Sequence, residues 1–305
     1  MSQTRSQIEK VTVLINPMAG HGHAPTAGRK GVARLRERGV AVTEIIGTDA
    51  DDAKKLARRA IADGTDALVV VGGDGAISIG LQAAALTDTP IGLIPAGTGN
   101  DHAREFGIPT GDPEAAADVI ANGIVQQSDL AKITMDDGSV VWSGTIIASG
   151  FDSLVSERAN KMSWPKGRMR YNLAMLAELA KMRPLPYRIE LDDEVIVMDA
   201  TLVAVGNGRS YGGGMLITPG ASKTDGLLDL TVVGHGSRFR LVRLFPRVYK
   251  GTHIHLDAVQ TYRSKKVRLI SEGIIAYADG DRVGPLPITI EAVPKALNIL
   301  SAEPV

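Results

Sequence analysis

The sequence contains no cysteine. That excludes disulfides, thiolate nucleophiles and Cys-ligated metals together. It also lacks an excess of either charge. The 34 Lys+Arg and 34 Asp+Glu leave the 305 residues formally neutral, which argues against a whole-protein polycation for nucleic acid. No apolar run approaches the ~18 residues of a membrane span. The start, Met-Ser-Gln-Thr-Arg-Ser-Gln, has no apolar core for a signal peptide, so a cytoplasmic protein is expected. Aromatics are scarce, at 4%. The 44% hydrophobic and 22% charged content is ordinary for a globular chain and too apolar for disorder. At roughly 150 residues per domain, the length predicts about two domains. Glycine is in excess: the 34 glycines exceed the usual share of ~7%, and many are clustered.

The first ~110 residues alternate strand and helix signals at the spacing of βα units. Strands are expected at 11–15, 40–46, 67–71 and 91–94, and helices at 26–38, 51–62, 76–86 and 113–121. Ala67 to Val71 is wholly apolar, as a buried parallel strand should be. Asp112-Pro113 places Pro at the first helical position. After Gly123 strand signals dominate, at 132–135, 140–148, 187–191, 195–205, 227–233, 267–270, 274–277 and 288–293. Helical insertions are expected near 166–182 and 237–250. The reading is an α/β nucleotide-binding domain over 1–128, joined by the returning segment 294–305. A mostly β sandwich or barrel follows over 129–293.

Three of the first four strands run into glycine-rich loops: Asn16-Pro17-Met18-Ala19-Gly20-His21-Gly22, Gly72-Gly73-Asp74-Gly75 and Pro95-Ala96-Gly97-Thr98-Gly99-Asn100-Asp101. In a doubly wound sheet, loops at the carboxyl ends of strands share the ligand-binding edge. Glycines there bring backbone N–H groups close to phosphate oxygens, and the following helix start adds a favourable dipole. The familiar motifs fail. No P-loop occurs, and the third glycine of a Rossmann fingerprint is replaced by Pro25, Ser78 and His102 in the three loops, which disfavours an NAD(H) dehydrogenase. Asp74 and Asp101 sit inside the loops. A carboxylate beside phosphates repels them unless a cation bridges the two, as Mg²⁺ does in phosphoryl transfer. Asp is also a good N-cap, so the same residues are expected to cap helices starting at Gly75 and His102. His21-x-His23 and His253-x-His255 lack a third ligand, and no Gly-x-Ser-x-Gly elbow occurs.

The second and third loops together resemble the diacylglycerol kinase catalytic domain, whose superfamily includes sphingosine kinases, NAD kinases and phosphofructokinases. Further along the chain come Ser149-Gly150-Phe151-Asp152, Asn207 with Gly212-Gly213-Gly214, Pro219-x-Ala221, Asp225-Gly226-Leu227-Leu228-Asp229 and Asp279-Gly280-Asp281. Their order resembles the bacterial lipid kinases. The stretch from Gly97 to Gly107 is similar to mycobacterial-type diacylglycerol kinases. NAD kinase shares the Gly-Gly-Asp-Gly loop but not the downstream motifs.

The resemblance implies an ATP- and Mg²⁺-dependent transferase that phosphorylates diacylglycerol to phosphatidic acid, a step of phospholipid biosynthesis. It implies that Asn16, Gly20, Thr48, Gly72, Gly73, Asp74, Gly75 and Thr98 bind ATP. Asp74, Asp101 and Asp129 would serve the Mg²⁺-nucleotide or its water network. Ser222, Asp225 and Leu227 match a structural Mg²⁺ site, in which Leu227 offers only its carbonyl. Asp281 would be the catalytic base. The chain departs from the commonest pattern in three places. Ala76, Ser78 and Ile79 stand where Thr, Asn and Glu are usual, Asp281 replaces Glu, and His21 replaces a basic residue. The alternatives are a kinase for another lipid alcohol, such as a long-chain base or monoacylglycerol, and a catalytically weak nucleotide-binding lipid sensor.

Two segments concentrate positive charge. Residues 157–183 hold seven Lys/Arg against Glu157 and Glu178, and residues 238–250 hold five with no acid. An anionic membrane surface attracts such segments by ~1 kcal/mol per basic residue, so peripheral membrane association is expected. Nucleic acid is not, since few aromatics accompany the charge. Oligomeric state stays open, a homodimer being one alternative.

Overall fold

The computed structural model describes residues 4–5, 7–15, 24–162, 164, 173–174, 177–178, 184–234 and 246–302. The chain divides into two compact units. Unit 1 comprises Met1–Leu130, Lys223–Asp225 and Val293–Val305, and unit 2 comprises Ala131–Ser222 and Gly226–Ala292.

Unit 1 contains β1 (Thr4–Arg5), β2 (Lys10–Ile15), α1 (Ala24–Glu37), β3 (Ala41–Ile45), α2 (Ala50–Ala62), β4 (Ala67–Gly72), α3 (Asp74–Ala84), β5 (Ile91–Pro95), α4 (Asp101–Glu105), α5 (Pro113–Asn122) and the start of β6 (Ile124–Met135). Four strands pair in parallel in the order β5-β4-β2-β3. The central β4 is buried at every residue and β3 at the edge is not, which is why the first reads as a continuous apolar run and the second does not. The chain reverses its winding at β2, whose neighbours are β3 and β4, and this makes the switch point where doubly wound sheets bind ligands. Helix starts follow local chemistry. Asp112 caps α5 by accepting from the backbone N–H groups of Glu114 and Ala115, with Pro113 next, and Gly123 ends the helix at φ 68°. Asp49 caps α2 by accepting from Asp52 N.

Unit 2 is mostly β, as the sequence implies. It holds the rest of β6, β7 (Val140–Ser143), β8 (Ile146–Gly150), α6 (Phe151–Lys161), β9 (Leu185–Glu190), β10 (Val195–Gly206), β11 (Leu228–Gly234), β12 (Val259–Ser264), β13 (Lys266–Ile270), β14 (Ile275–Ala278), β15 (Asp281–Pro285) and the first residues of β16 (Ile288–Leu300). Strand β10 organises the pairing. Its first half pairs β9, and its second half pairs β8 on one side and β11 on the other, with a register shift between Ala200 and Leu202. The core gathers Ile133, Ile147, Tyr187, Val203, Leu230, Val267, Ile288 and their neighbours. The last part of β16 belongs to unit 1 and lies parallel to β5, with Ile299 opposite Ile91.

Several expectations need correction. The strand expected over 140–148 is two strands broken at Gly144-Thr145, because both backbone N–H groups there turn to the Asp279 carboxylate. β6 and β16 run much longer than their apolar cores suggest. The sequence reading missed α6, β12 and β15. Most of the helical insertions expected near 166–182 and 237–250 lies outside the described residues.

Candidate functional site

β4 and β5 are neighbours, with Gly72 opposite Pro95, so their loops leave the sheet side by side. Ala96 N donates to Gly72 O at 2.8 Å. The loops then touch backbone to backbone: a Cβ added to Gly97 would lie 2.5 Å from Gly73 Cα, and one on Gly73 would lie 3.0 Å from Gly97 Cα. Both glycines are therefore required by close approach. Gly97→Ala is expected to destabilise the protein by about 1–3 kcal/mol, the usual cost of overpacking. An unchanged midpoint in urea unfolding would mean the two loops do not touch.

The capping expectation is wrong in detail. The N-cap residues are Gly73 and Asn100, and Asp74 and Asp101 are the first residues of α3 and α4. Asn100 takes a left-handed conformation at φ 54° and closes its own turn instead. Its Oδ1 accepts from Gly97 N and its Nδ2 donates to Gly97 O, each at 2.9 Å. The aspartate side chains have other partners. Asp74 Oδ1 lies 3.2 Å from both the backbone N and the ring Nδ1 of buried His102. Asp101, itself buried, accepts from Arg104 at 2.7 Å. Burial pushes the Asp74 carboxyl up, but the His102 ring and the backbone N–H groups of His102 and Asp101 outweigh it and hold it below the ordinary value of 3.8. The stability this carboxylate adds is thus present above that value and is lost as the pH falls through its lower folded value.

The two carboxylates converge on Gly99. A Cβ there would sit 2.5 Å from Asp74 Oδ2 and 3.5 Å from Asp101 Oδ2. The absent side chain lets the carboxylates pack against this backbone, which brings two hard anionic oxygens to one position. That donor set fits Mg²⁺, which is commonly held by one or two carboxylates together with substrate phosphates. Among the described residues no three His, Cys, Asp or Glu side chains form a metal cluster.

The other expected residues are placed as follows. Asn16 and Gly20 lie outside the described residues. Gly72 is buried at the end of β4, Gly75 is exposed in the first turn of α3, and Thr98 is exposed in its loop. Thr48, also exposed, is tied to the first turn of α2. Asp52 Oδ2 accepts from its backbone N at 2.9 Å and from its hydroxyl at 3.1 Å, which lowers the Asp52 pKa. Asp129 is buried in unit 1, where its Oδ1 accepts from Lys295 N at 2.8 Å and its N donates to Lys223 O at 2.7 Å. Asp225 is exposed and groups with unit 1, whereas Ser222 and Leu227 are half-buried and group with unit 2. Asp281 is exposed at the start of β15, opposite Ala278. Ala76 and Ser78 are buried along α3.

Sequence reasoning missed two partners. His102 was legible only as part of a phrase, because nothing local signals its contact with Asp74 28 positions away. Lys223 is buried in unit 1, with Nζ 3.8 Å from Glu105 Oε2, donating to Glu105 O, and 3.6 Å from the Phe106 ring centroid.

The fold and loops described above have counterparts. Residues 10–133 match the family described as the diacylglycerol kinase catalytic domain, and residues 145–301 match the YegS C-terminal NAD kinase beta sandwich-like domain. A protein named diacylglycerol kinase from Mycobacterium tuberculosis is 56% identical over 297 residues, covering 97% of this chain and 96% of its own length. A probable lipid kinase YegS-like from Stenotrophomonas maltophilia is 30% identical, with 87% and 88% covered. Among solved structures, a putative diacylglycerol kinase from Bacillus anthracis superposes with a TM-score of 0.77 at 22% identity, over 98% of this chain and 99% of the other. That likeness establishes the two-domain fold.

Proposed function

The chain belongs to the diacylglycerol kinase family and is a lipid kinase, and on that premise we propose that it transfers the γ-phosphate of ATP to the free hydroxyl of diacylglycerol, giving phosphatidic acid at an anionic membrane surface. The observation that carries the reading is the pair of glycine loops in backbone contact, with two carboxylates converging beside them. The choice of diacylglycerol is supported by 56% identity across nearly the whole chain to a relative of that name. Kinase membership sets aside the non-catalytic sensor.

In this mechanism the loop backbones and the start of α3 hold the triphosphate, since first-turn N–H groups lack intrahelical partners and point at bound anions. Asp74 and Asp101 are the residues that would hold Mg²⁺, which when bound supplies charge neutralisation on the phosphates. Asp281 takes the proton of the lipid hydroxyl. The lipid oxygen forms the new bond to the γ-phosphorus as the bond to the β–γ bridging oxygen breaks, and ADP leaves. The shorter Asp in place of Glu is still a carboxylate able to act as base. The relative named only as a lipid kinase makes another lipid alcohol the competing reading. ADP release should therefore be measured with vesicles carrying diacylglycerol, monoacylglycerol or a long-chain base. The highest kcat/KM is expected for diacylglycerol, and a higher value for either other lipid overturns the assignment.

The membrane part rests on the basic segments 157–183 and 238–250. Among the described residues no helix is long and apolar enough to cross a membrane. Binding to vesicles is expected to need anionic lipid and to weaken with salt, because exposed charges are screened within about 10 Å at 0.1 M. Equal sedimentation with neutral and anionic vesicles contradicts it.

A further inference from the structure

Asp281 begins an edge strand. β15 lies at the end of the sheet order and pairs with β14, and β14 in turn pairs with β8 through Tyr277–Ala148 and Ala278–Ile147. The β14–β15 ladder is interrupted. Ala276 faces Gly284 but Tyr277 faces Arg282, so Val283 is an extra residue. Such a bulge re-aims the residues beyond it, and bulges are frequent at sheet edges and beside active sites. On its turn side stand two pairs, Tyr277 with Arg282 and Ala278 with Asp281. Glu157, on α6, engages the first pair from both strands: its Oε1 accepts from the Tyr277 hydroxyl and from Arg282 Nε, each at 2.9 Å. Its Oε2 lies 3.8 Å from Lys161 Nζ, but the Lys161 side chain is 79% exposed and that contact contributes little. The Tyr277 hydrogen bond above all holds the Glu157 carboxyl below its ordinary value of 4.5, so both bonds go to a charged acceptor at neutral pH, the stronger kind. α6 is itself fixed to β8: the Ser153 hydroxyl donates to Gly150 O at 2.8 Å, and Val155 is fully buried.

We propose that Glu157 is a positioning residue for phosphoryl transfer, clamping Tyr277 and Arg282 together so that the bulged tip of the hairpin presents Asp281 in one register. The argument is geometric. Successive side chains of a strand point to opposite faces, so a bond that draws Arg282 toward α6 fixes Asp281 on the other face. A slip of one residue reverses both. An edge strand with a bulge has the least to resist that slip, and the turn fixes only the Asp279–Gly280 backbone. One carboxylate oxygen shared by the two strands ties β15 to β14 next to Asp281. The proposal rests on the reading of Asp281 as the base.

The test is a double-mutant cycle read as kcat and as KM for ATP, with diacylglycerol in anionic vesicles as acceptor. Melting temperatures confirm folding. Glu157→Ala removes the shared acceptor, and Glu157→Gln keeps an oxygen able to accept from both donors. Glu157→Ala is expected to lower kcat by about tenfold or more, since a misplacement near 1 Å costs up to ~10²-fold, with the KM for ATP unchanged. Glu157→Gln should stay within about threefold of wild type. In the Asp281→Asn background, where no base is left to misplace, Glu157→Ala should change kcat by less than about twofold, because residues that act through one group are not additive. A residue that only stabilises the fold, or that serves another step, would lower kcat equally in both backgrounds, and that result overturns the proposal. If Glu157→Ala does not fold, Arg282→Met, which removes the donor from the other side, takes its place. The two levels separate. If Asp281→Asn slows the reaction while Glu157→Ala leaves kcat within about twofold, only the role of Glu157 fails. If Asp281→Asn leaves kcat near wild type, the base reading fails and the proposal with it.

Discussion

Asp281→Asn is expected to lower kcat by roughly 10²–10⁴, the usual worth of general acid–base catalysis, with ATP affinity nearly unchanged. Asp281 stands on a well-defined hairpin. β14 and β15 form a hairpin joined by Asp279 and Gly280, at φ 52° and 89°, and two-residue hairpin turns of this kind need positive φ at both positions. Asp281 follows the turn and is exposed. Its neighbour Arg282 donates to Glu157 Oε1 at 2.9 Å, and the Tyr277 hydroxyl donates to the same oxygen at 2.9 Å. The hairpin is thus pinned to α6 through Tyr277 and Arg282. Asn keeps the shape and removes the proton acceptor, whereas Asp281→Glu keeps the carboxylate and should retain substantial activity. A kcat within a few-fold of wild type for Asp281→Asn would remove this residue from the chemistry.

Asp279→Ala should act on stability instead, by about 3 kcal/mol or more. Asp279 is buried, and its carboxylate accepts four hydrogen bonds: from the Ser143 hydroxyl at 2.8 Å, Gly144 N at 3.0 Å, and Thr145 N and hydroxyl at 2.9 and 2.6 Å. Hydrogen bonds to charged groups contribute ~1.5–3 kcal/mol each, and removing the shared acceptor strands buried donors at once. Alanine must also adopt a positive φ that Asp tolerates better. A lowering of Tm by about 6–12 °C is expected, given ~2–4 °C per kcal/mol for domains of this size. A shift of less than about 1 °C would show that the β7–β8 connection does not depend on this carboxylate. Of two aspartates separated by one glycine, one thus holds the β7–β8 connection and the other is exposed beside the turn.

That division could not be read from Asp279-Gly280-Asp281 alone, because it depends on partners more than 130 positions earlier. What was legible was periodic or local. The apolar run of β4, the alternation into α2 and α5, and the glycines ending β4 and β5 each follow from neighbouring residues. The parallel order then puts the two loops together. What was not legible depends on distant partners. Asp74 has the residue type and position of an N-cap, yet His102 draws its side chain away and leaves Gly73 to start the helix. Gly144-Thr145 sits inside a convincing strand pattern, but the buried Asp279 charge recruits its backbone. β12 carries Gln-Thr-Tyr-Arg between two buried ends, too polar to read as a strand until β11 pairs with it. Lys223 looks like a surface residue until Glu105 and Phe106 enclose it.

Transfer of labelled phosphate in a single turnover tests the central claim most directly. The enzyme is loaded with [γ-³²P]ATP and Mg²⁺ and mixed with vesicles containing equal amounts of diacylglycerol, monoacylglycerol and a long-chain base, and the labelled lipid is identified by chromatography. The account predicts that the label appears chiefly in phosphatidic acid and that Asp281→Asn slows its appearance by at least about a hundredfold. Label chiefly in another lipid, or label released only as inorganic phosphate while diacylglycerol stays unmodified, would contradict it.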